Sequence, residues 1–328
     1  MNLREQPRGD YARYGVLAGV GLLLLSLPYL VPTYFAHLLI LAGLESIVVM
    51  GFVVQLRVGL LSFAIATMWG IGAYISALAS TTLGIDFWLC LPLSAMGTAL
   101  IAFIIGLIII RAGGVTFLMI TIVMAEIFVE AVGHLSVLGG WQGIWGIHPP
   151  TIGSFVFVSK VSYYYLTLGL VMLCALIFYA LYRSPIGAAW TAIGRSSDLA
   201  ASVGINLFRY RLAAYVIAAF TVGLSGSVYA HYMCFLVPQS FDIVRSIYLL
   251  IYGLVGGIGF TIAGPIIGSV TMNLITEVLR VGDKYQPIFL GGVIVLVALL
   301  FRNGILGALP RYITHGLWRR WGRSNANF

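Results

Sequence analysis

Apolar residues in this chain come in long runs, broken mainly by glycines and by short clusters of basic and polar residues. A helix rises about 1.5 Å per residue, so a hydrocarbon layer about 30 Å thick takes about 20 apolar residues to cross. Runs of this kind lie near 14–31, 35–56, 59–80, 89–110, 115–133 and 163–182, and again near 211–231, 245–262, 264–279 and 287–301. Several are short or interrupted by glycine, so the count lies between eight and ten. The pattern predicts an all-α fold: a polytopic helical membrane protein of about 8–10 transmembrane helices. It forms one domain over 1–328, with its spanning region at 14–301 and a basic tail at 302–328.

The polar connections are uneven in length. The longest on one side covers about 134–162 and carries Gly139-Gly140-Trp141-Gln142-Gly143, then Trp145 and Pro149-Pro150. Glycines and tryptophans at a membrane edge predict a partly ordered interfacial segment. The longest on the other side, 183–210, reads as two short helices. Ser184 stands at an N-cap position ahead of Pro185, a first helical residue whose missing N–H is tolerated there. The second helix begins at Ser196 or Ser197, places Asp198 where the helix dipole favours an anion, and runs through Leu199, Ala200 and Ala201. Gly204 then stands where a left-handed cap residue is wanted. Such a capped segment is either an amphipathic connector or a docking helix for a partner on that side of the membrane.

Glycines also mark the spans. Gly70, Gly72, Gly256, Gly257, Gly259, Gly264 and Gly268 let helix backbones approach each other. Pro265 beside Gly264 predicts a broken or re-entrant segment, which lipid tolerates only where protein or a water-filled cavity surrounds it.

Composition agrees with the pattern. Of 328 residues 61% are hydrophobic and 9% charged, and the mean hydropathy is +1.03. Soluble domains carry about 25% charged residues, so most of this surface faces lipid. The net charge of +8 follows from topology. With both termini in the cytoplasm, 14 of the 18 Lys and Arg side chains fall inside, and only Lys160, Arg245, Arg280 and Lys284 fall outside. Nucleic acid is not needed to explain the charge. Cys90, Cys174 and Cys234 have no metal or disulfide spacing and predict core packing.

Chemistry within the spans is sparse. Glu45, Glu126, Glu130 and Glu277 are the carboxylates in apolar stretches, where charge needs a partner or water. Glu126 and Glu130, four residues apart on one helix face, suit a proton relay or a cation site, or else lie hydrated near the end of their span. Glu277 and Arg280 are spaced as a local pair. A phosphate-binding loop needs a Gly-Lys-Ser/Thr end; the only lysines, Lys160 and Lys284, follow Ser159 and Asp283. The chain therefore carries no ATPase site of its own. His37, His134, His148, His231 and His315 lack metal-ligand spacing, so no metal or other cofactor is expected.

An ordered series of short motifs resembles the branched-chain amino acid ABC permeases of the LivM type. It opens with Gly59-Leu60-Leu61-Ser62 and Gly70-Ile71-Gly72-Ala73-Tyr74, then Ala125-Glu126-Ile127 and Gly139-Gly140 with Gly143-Ile144. The 183–210 loop matches best, through Ser184, Gly187, Ala192-Ile193, Asp198, Leu199-Ala200-Ala201 and Gly204-Ile205-Asn206. Tyr229-Ala230-His231, Pro238, Ser240-Phe241, Ser246, Gly256-Gly257-Ile258-Gly259 and Gly264-Pro265 continue it, and Leu300-Phe301-Arg302 with Gly304-Ile305-Leu306-Gly307 closes it.

The resemblance implies a permease subunit of a bacterial inner-membrane importer that passes branched-chain or related small amino acids by ATP-driven alternating access. Its implied partners are a second permease subunit, two cytoplasmic ATPase subunits that use the ATP, and a periplasmic substrate-binding protein. Coupling to the ATPase is then expected at Gly187, Asp198, Leu199, Ala200, Ala201, Gly204 and Ile205. Glu45, Trp69, Glu126 and Gln142 are the candidate residues of the substrate pathway. The chain departs from the family at Phe52, Gln55, Leu56 and Arg57, at Ala64-Ile65 and at Glu45, all near candidate pore positions. A self-sufficient secondary transporter using the intramembrane carboxylates is the alternative.

Overall fold

The computed structural model describes residues 25–152, 155–157, 159–279, 291–292 and 304–308. The expected first span at 14–31 is described only at its end, where residues 25–30 are helical, and the expected span at 287–301 lies outside the described residues except for 291–292.

Beyond that first end, eleven helices follow among the described residues: α1 Thr33–Arg57, α2 Ile65–Thr82, α3 Phe87–Ile109, α4 Gly114–His134, α5 Lys160–Arg183, α6 Pro185–Arg195, α7 Ser197–Ser202, α8 Leu207–Met233, α9 Ile243–Gly256, α10 Ala263–Leu279 and α11 Gly304–Ala308. Among the described residues five of these, α1, α3, α4, α5 and α8, are long and apolar enough to cross a membrane. The chain is a multi-pass helical membrane protein.

Burial sorts the long helices into a centre and a rim. The most apolar stretches of α1 and α8 are 78% and 72% buried, whereas those of α3, α4 and α5 are 28–33% buried. Leu89, Met96, Leu100, Ile104 and Ile108 of α3 and Met119, Val123 and Ile127 of α4 are exposed. These apolar faces suit lipid, while α8 packs on α1, α2 and α3 in the interior.

Two of the expected spans are shorter than their apolar runs. The run at 59–80 becomes a helix only at Ile65, because residues 58–64 form a turn and an irregular segment that includes Gly59 at φ +77. The run at 245–262 stops being helical at Gly256, and Gly257 adopts φ 104. The expected break therefore comes before Gly264-Pro265, and Pro265 sits in the first turn of α10, where a missing N–H is harmless. The two arms α9 and α10 cross at backbone contact. A Cβ on Gly268 would lie 2.0 Å from the Tyr252 carbonyl oxygen, and one on Gly256 would lie 1.9 Å from that of Gly264.

The interfacial segment contains two short 3-10 turns and two-residue strands. β1 (Ile144–Trp145) pairs antiparallel with β4 (Phe235–Leu236), and β2 (Thr151–Ile152) pairs with β3 (Phe155–Val156).

Side-chain contacts define two ends of the body. At one, Arg57 stacks over the Tyr182 ring at 4.8 Å and donates to the Gly259 carbonyl at 2.8 Å, while Arg111 stacks over Phe208. At the other, Lys160 donates to the Thr33 carbonyl at 3.3 Å, and the Trp88 indole donates to Thr151. Arg57, Arg111, Arg183, Arg195, Arg209 and Arg211 all belong to the first end, in helix termini or connections.

Arg245 corrects the expected charge map. It is not an outer-loop residue: it is paired with Glu45, the midpoint of the 25-residue α1. Glu45 supplies the partner charge that holds it there. Cys234 is also corrected. Cys90 and Cys174 are buried, but Cys234 is exposed and ends α8 in a left-handed conformation with φ 56.

Candidate functional sites

The loop at the Arg57 end is built by capping chemistry. Ser184 occupies the N-cap position of α6, but its hydroxyl donates back to the Leu181 carbonyl at 2.6 Å rather than capping. Pro185 starts α6, and Trp190 anchors it, fully buried with its indole N–H on the Tyr210 carbonyl at 3.0 Å. Ser196 caps α7 by accepting from the Leu199 N–H at 3.3 Å, and Asp198 lies in its first turn. The helix closes in a paired arrangement: Gly204 N–H donates to Ala201 at 3.0 Å and Ile205 N–H to Ala200 at 3.1 Å. That pairing requires a left-handed residue at its corner, and Gly204 has φ +87.

The expected coupling residues divide by burial. Gly187 and Ala200 are buried, and Ile205 is half-buried. Asp198, Leu199, Ala201 and Gly204 are exposed, and Val203 joins them. Ala200, at 2% exposure, packs inward. The apolar side chains that the loop presents outward are Leu199 and Val203, 67% and 70% exposed. The loop is tied to the body through Gly194, where a Cβ would lie 2.2 Å from the Arg57 carbonyl oxygen, and through Arg211, which bonds Ser197 and Val58.

A second site lies at mid-depth. The N-terminus of α9 starts beside the middle of α1, because the chain returns inward from β4 through a 3-10 turn at Pro238–Phe241. The N-terminus of α2 meets it there: the Ala66 N–H donates to the Ser246 hydroxyl at 3.2 Å. Asp242 caps α9, accepting from the Arg245 N–H at 2.8 Å. The Arg245 side chain pairs with Oε1 of Glu45, and Asn273 of α10 donates to Oε2 at 2.6 Å. Glu45 is 1% exposed and its carboxylate is thus held by two helices besides its own.

Trp69 stands next to this cluster. Its ring lies 5.9 Å from the Arg245 guanidinium carbon, within cation–π range. It packs on Tyr229 at 4.4 Å and edge-on against Phe241 at 5.6 Å. The Trp69 indole N–H is buried and has no acceptor among the described residues.

Glu126 and Gln142 do not join Glu45 and Trp69. Glu126 is exposed on α4, and one turn on Glu130 pairs with His134 at 3.3 Å with both side chains well exposed. Gln142 is exposed, its carbonyl accepting from the Trp145 indole at 3.0 Å. Glu277 lines a cavity with Glu45, and Arg280 lies outside the described residues. His231 is packed and bonded to Ser76 and to the His148 carbonyl. Among the described residues no cluster of three metal-ligating side chains occurs. Sequence reasoning missed Arg245, Asn273, Ser246 and Arg211, although the polar positions 273, 276 and 277 fall on one helical face and were legible as a signal.

A family model described as branched-chain amino acid transport system, permease component, matches residues 34–298. One similar protein is the high-affinity branched-chain amino acid transport system permease protein LivM of Salmonella typhimurium. It is 29% identical over 272 residues, covering 76% of this chain and 64% of that protein. The protein of the same name from Escherichia coli is 28% identical over 272 residues with the same coverage. The match spans less than two thirds of the length of these relatives, 64% in each. No solved structure matches the chain.

Proposed function

Because this chain belongs to the permease component family of branched-chain amino acid transport systems, we propose that it forms one half of the membrane pathway of an ATP-driven importer. Its substrates are branched-chain or related small amino acids. Its partners are a second permease subunit, two cytoplasmic ATPase subunits and a periplasmic binding protein.

The observation that carries this reading is the α6–α7 loop. It is capped at both ends of α7, bound to the body by Arg211 and Gly194, and presents Leu199 and Val203 outward at the arginine-rich end. A rigid segment that leaves two large apolar side chains uncovered is suited to a groove on another protein. Six described arginines gather at that end, which the excess of basic residues on the cytoplasmic side assigns to the cytoplasm. Both chain termini then lie in the cytoplasm, in the bacterial inner membrane.

The test is leucine uptake into proteoliposomes holding the chain with its ATPases, second permease subunit and binding protein. Uptake should require ATP and should persist when the proton gradient is collapsed. Uptake driven by a pH gradient without ATP would replace this reading with that of a secondary transporter.

A further inference from the structure

Arg245 is in the first turn of α9, where a cation opposes the helix dipole. The helix itself does not call for a cation there. Nor does packing: well-fitted apolar residues in place of a buried ion pair are often neutral or stabilising. Among the described residues the guanidinium uses only Nη2 for Glu45, and it is not sealed, its side chain being 30% exposed. The exposure opens into a cavity of about 230 Å³ between α1, α9 and α10. Glu45, Arg245 and Asn273 line it, and Leu38 and Leu41 of α1 add an apolar wall.

The size and charge of this cavity restrict what it takes. A water's share of liquid volume is about 30 Å³, so the space holds roughly eight water-sized groups, the heavy-atom count of a small aliphatic amino acid. Adjacent opposite charges match a ligand whose own opposite charges are adjacent. An α-amino acid has its carboxylate and ammonium on one carbon. A guanidinium has five donors in a fixed fork, and a carboxylate has about four acceptor sites, so both side chains keep capacity while paired.

We propose that this cavity binds the head group of a zwitterionic aliphatic α-amino acid. Arg245 takes the carboxylate, Glu45 and the Asn273 side-chain oxygen take the ammonium, and Leu38 and Leu41 face the aliphatic chain. The ligand pairs head-to-tail with the Glu45–Arg245 ion pair, so neither protein charge is left uncompensated when the site is empty. This rests on the permease reading and names the residues by which the membrane pathway itself holds substrate.

The experiment uses the full-length chain in nanodiscs with L-leucine, 4-methylpentanoate and isoamylamine as probes. They share the aliphatic chain, but 4-methylpentanoate lacks the ammonium and isoamylamine the carboxylate. Intrinsic tryptophan fluorescence and thermal protection should both saturate with leucine, and each of the other two should bind at least about tenfold more weakly, the loss of one charge-assisted contact. Glu45→Gln combined with Arg245→Met removes both charges together and avoids the stranded charge of a single substitution. That double variant should stay monodisperse and lose leucine protection. No leucine response in the wild type, an unchanged response in the double variant, or equal binding of all three probes overturns the proposal. ATP-dependent leucine uptake with an unaltered KM in the double variant overturns this site alone. Loss of ATP dependence in the wild-type assembly overturns the permease reading instead.

Discussion

Arg211 holds Ser197: its Nη2 donates to the serine hydroxyl at 2.9 Å, while its Nε donates to the Val58 carbonyl at 3.0 Å. One guanidinium thus joins the first residue of α7 to the irregular segment that leads into α2. At the far end of that segment the Ala66 N–H meets Ser246, the neighbour of Arg245. The exposed loop and the mid-depth ion pair are connected through hydrogen bonds and one short run of backbone.

Arg211→Ala should therefore separate transport from ATP hydrolysis. A hydrogen bond to a charged group is worth about 1.5–3 kcal/mol, so transport should fall by at least about tenfold. ATPase turnover of the assembled complex should continue. Parallel measurement of uptake and phosphate release in proteoliposomes checks this; equal losses in both would reduce Arg211 to a folding contact.

The Glu45–Arg245 pair makes a prediction about stability. Glu45→Leu or Arg245→Met alone leaves a buried charge unpaired and should cost about 3–5 kcal/mol. The combined substitution should be nearer the wild type than either single variant. A double-mutant cycle on denaturant unfolding in detergent measures the coupling, and additive losses would show that the two charges do not sense each other.

Gly204 has φ +87, and a Cβ added there would meet nothing within 4 Å, so its requirement is conformational rather than steric. A left-handed residue other than glycine costs about 1–2 kcal/mol, and asparagine is among the side chains that visit this region most readily. Gly204→Val should lose co-purification with the ATPases, Gly204→Asn should retain it, and the melting temperature of the membrane body should be unchanged in both. Retention by the valine variant would make α7 a connector and not a docking helix.

Topology gives the last test. With Cys90, Cys174 and Cys234 replaced, single cysteines at Ser197 and Gln142 should react with impermeant reagents from opposite faces of the membrane. Ser197 lies at the Arg57 end, tied to Arg211, and Gln142 lies beside β1 at the Lys160 end. Labelling from the same face would contradict both the span count and the cytoplasmic assignment of the loop.

The caps of α7 were legible because capping is local. A serine, an aspartate and a glycine at fixed offsets satisfy backbone groups within one turn, and Ser196, Asp198 and Gly204 do so here. The lipid-facing spans were legible for a similar reason: hydrocarbon imposes apolar composition on most outward positions of α3 and α4. The direction of Ala200 was not legible, since its inward packing depends on how α7 sits on α8.

The sequence by itself determined that this chain crosses a membrane many times, which of its ends gathers the arginines, and where its exposed loop starts and stops. Lipid, the charge bias and local capping act on residues near in sequence. Only the tertiary structure decided that Arg245 lies at mid-depth, because its partner Glu45 is 200 residues away and Asn273 approaches from a third helix. Hydropathy counts apolar residues along the chain, so it extended two spans through segments where the backbone at 58–64 and after Gly256 is not helical. Those breaks exist because neighbouring helices supply the hydrogen bonds and packing that lipid cannot.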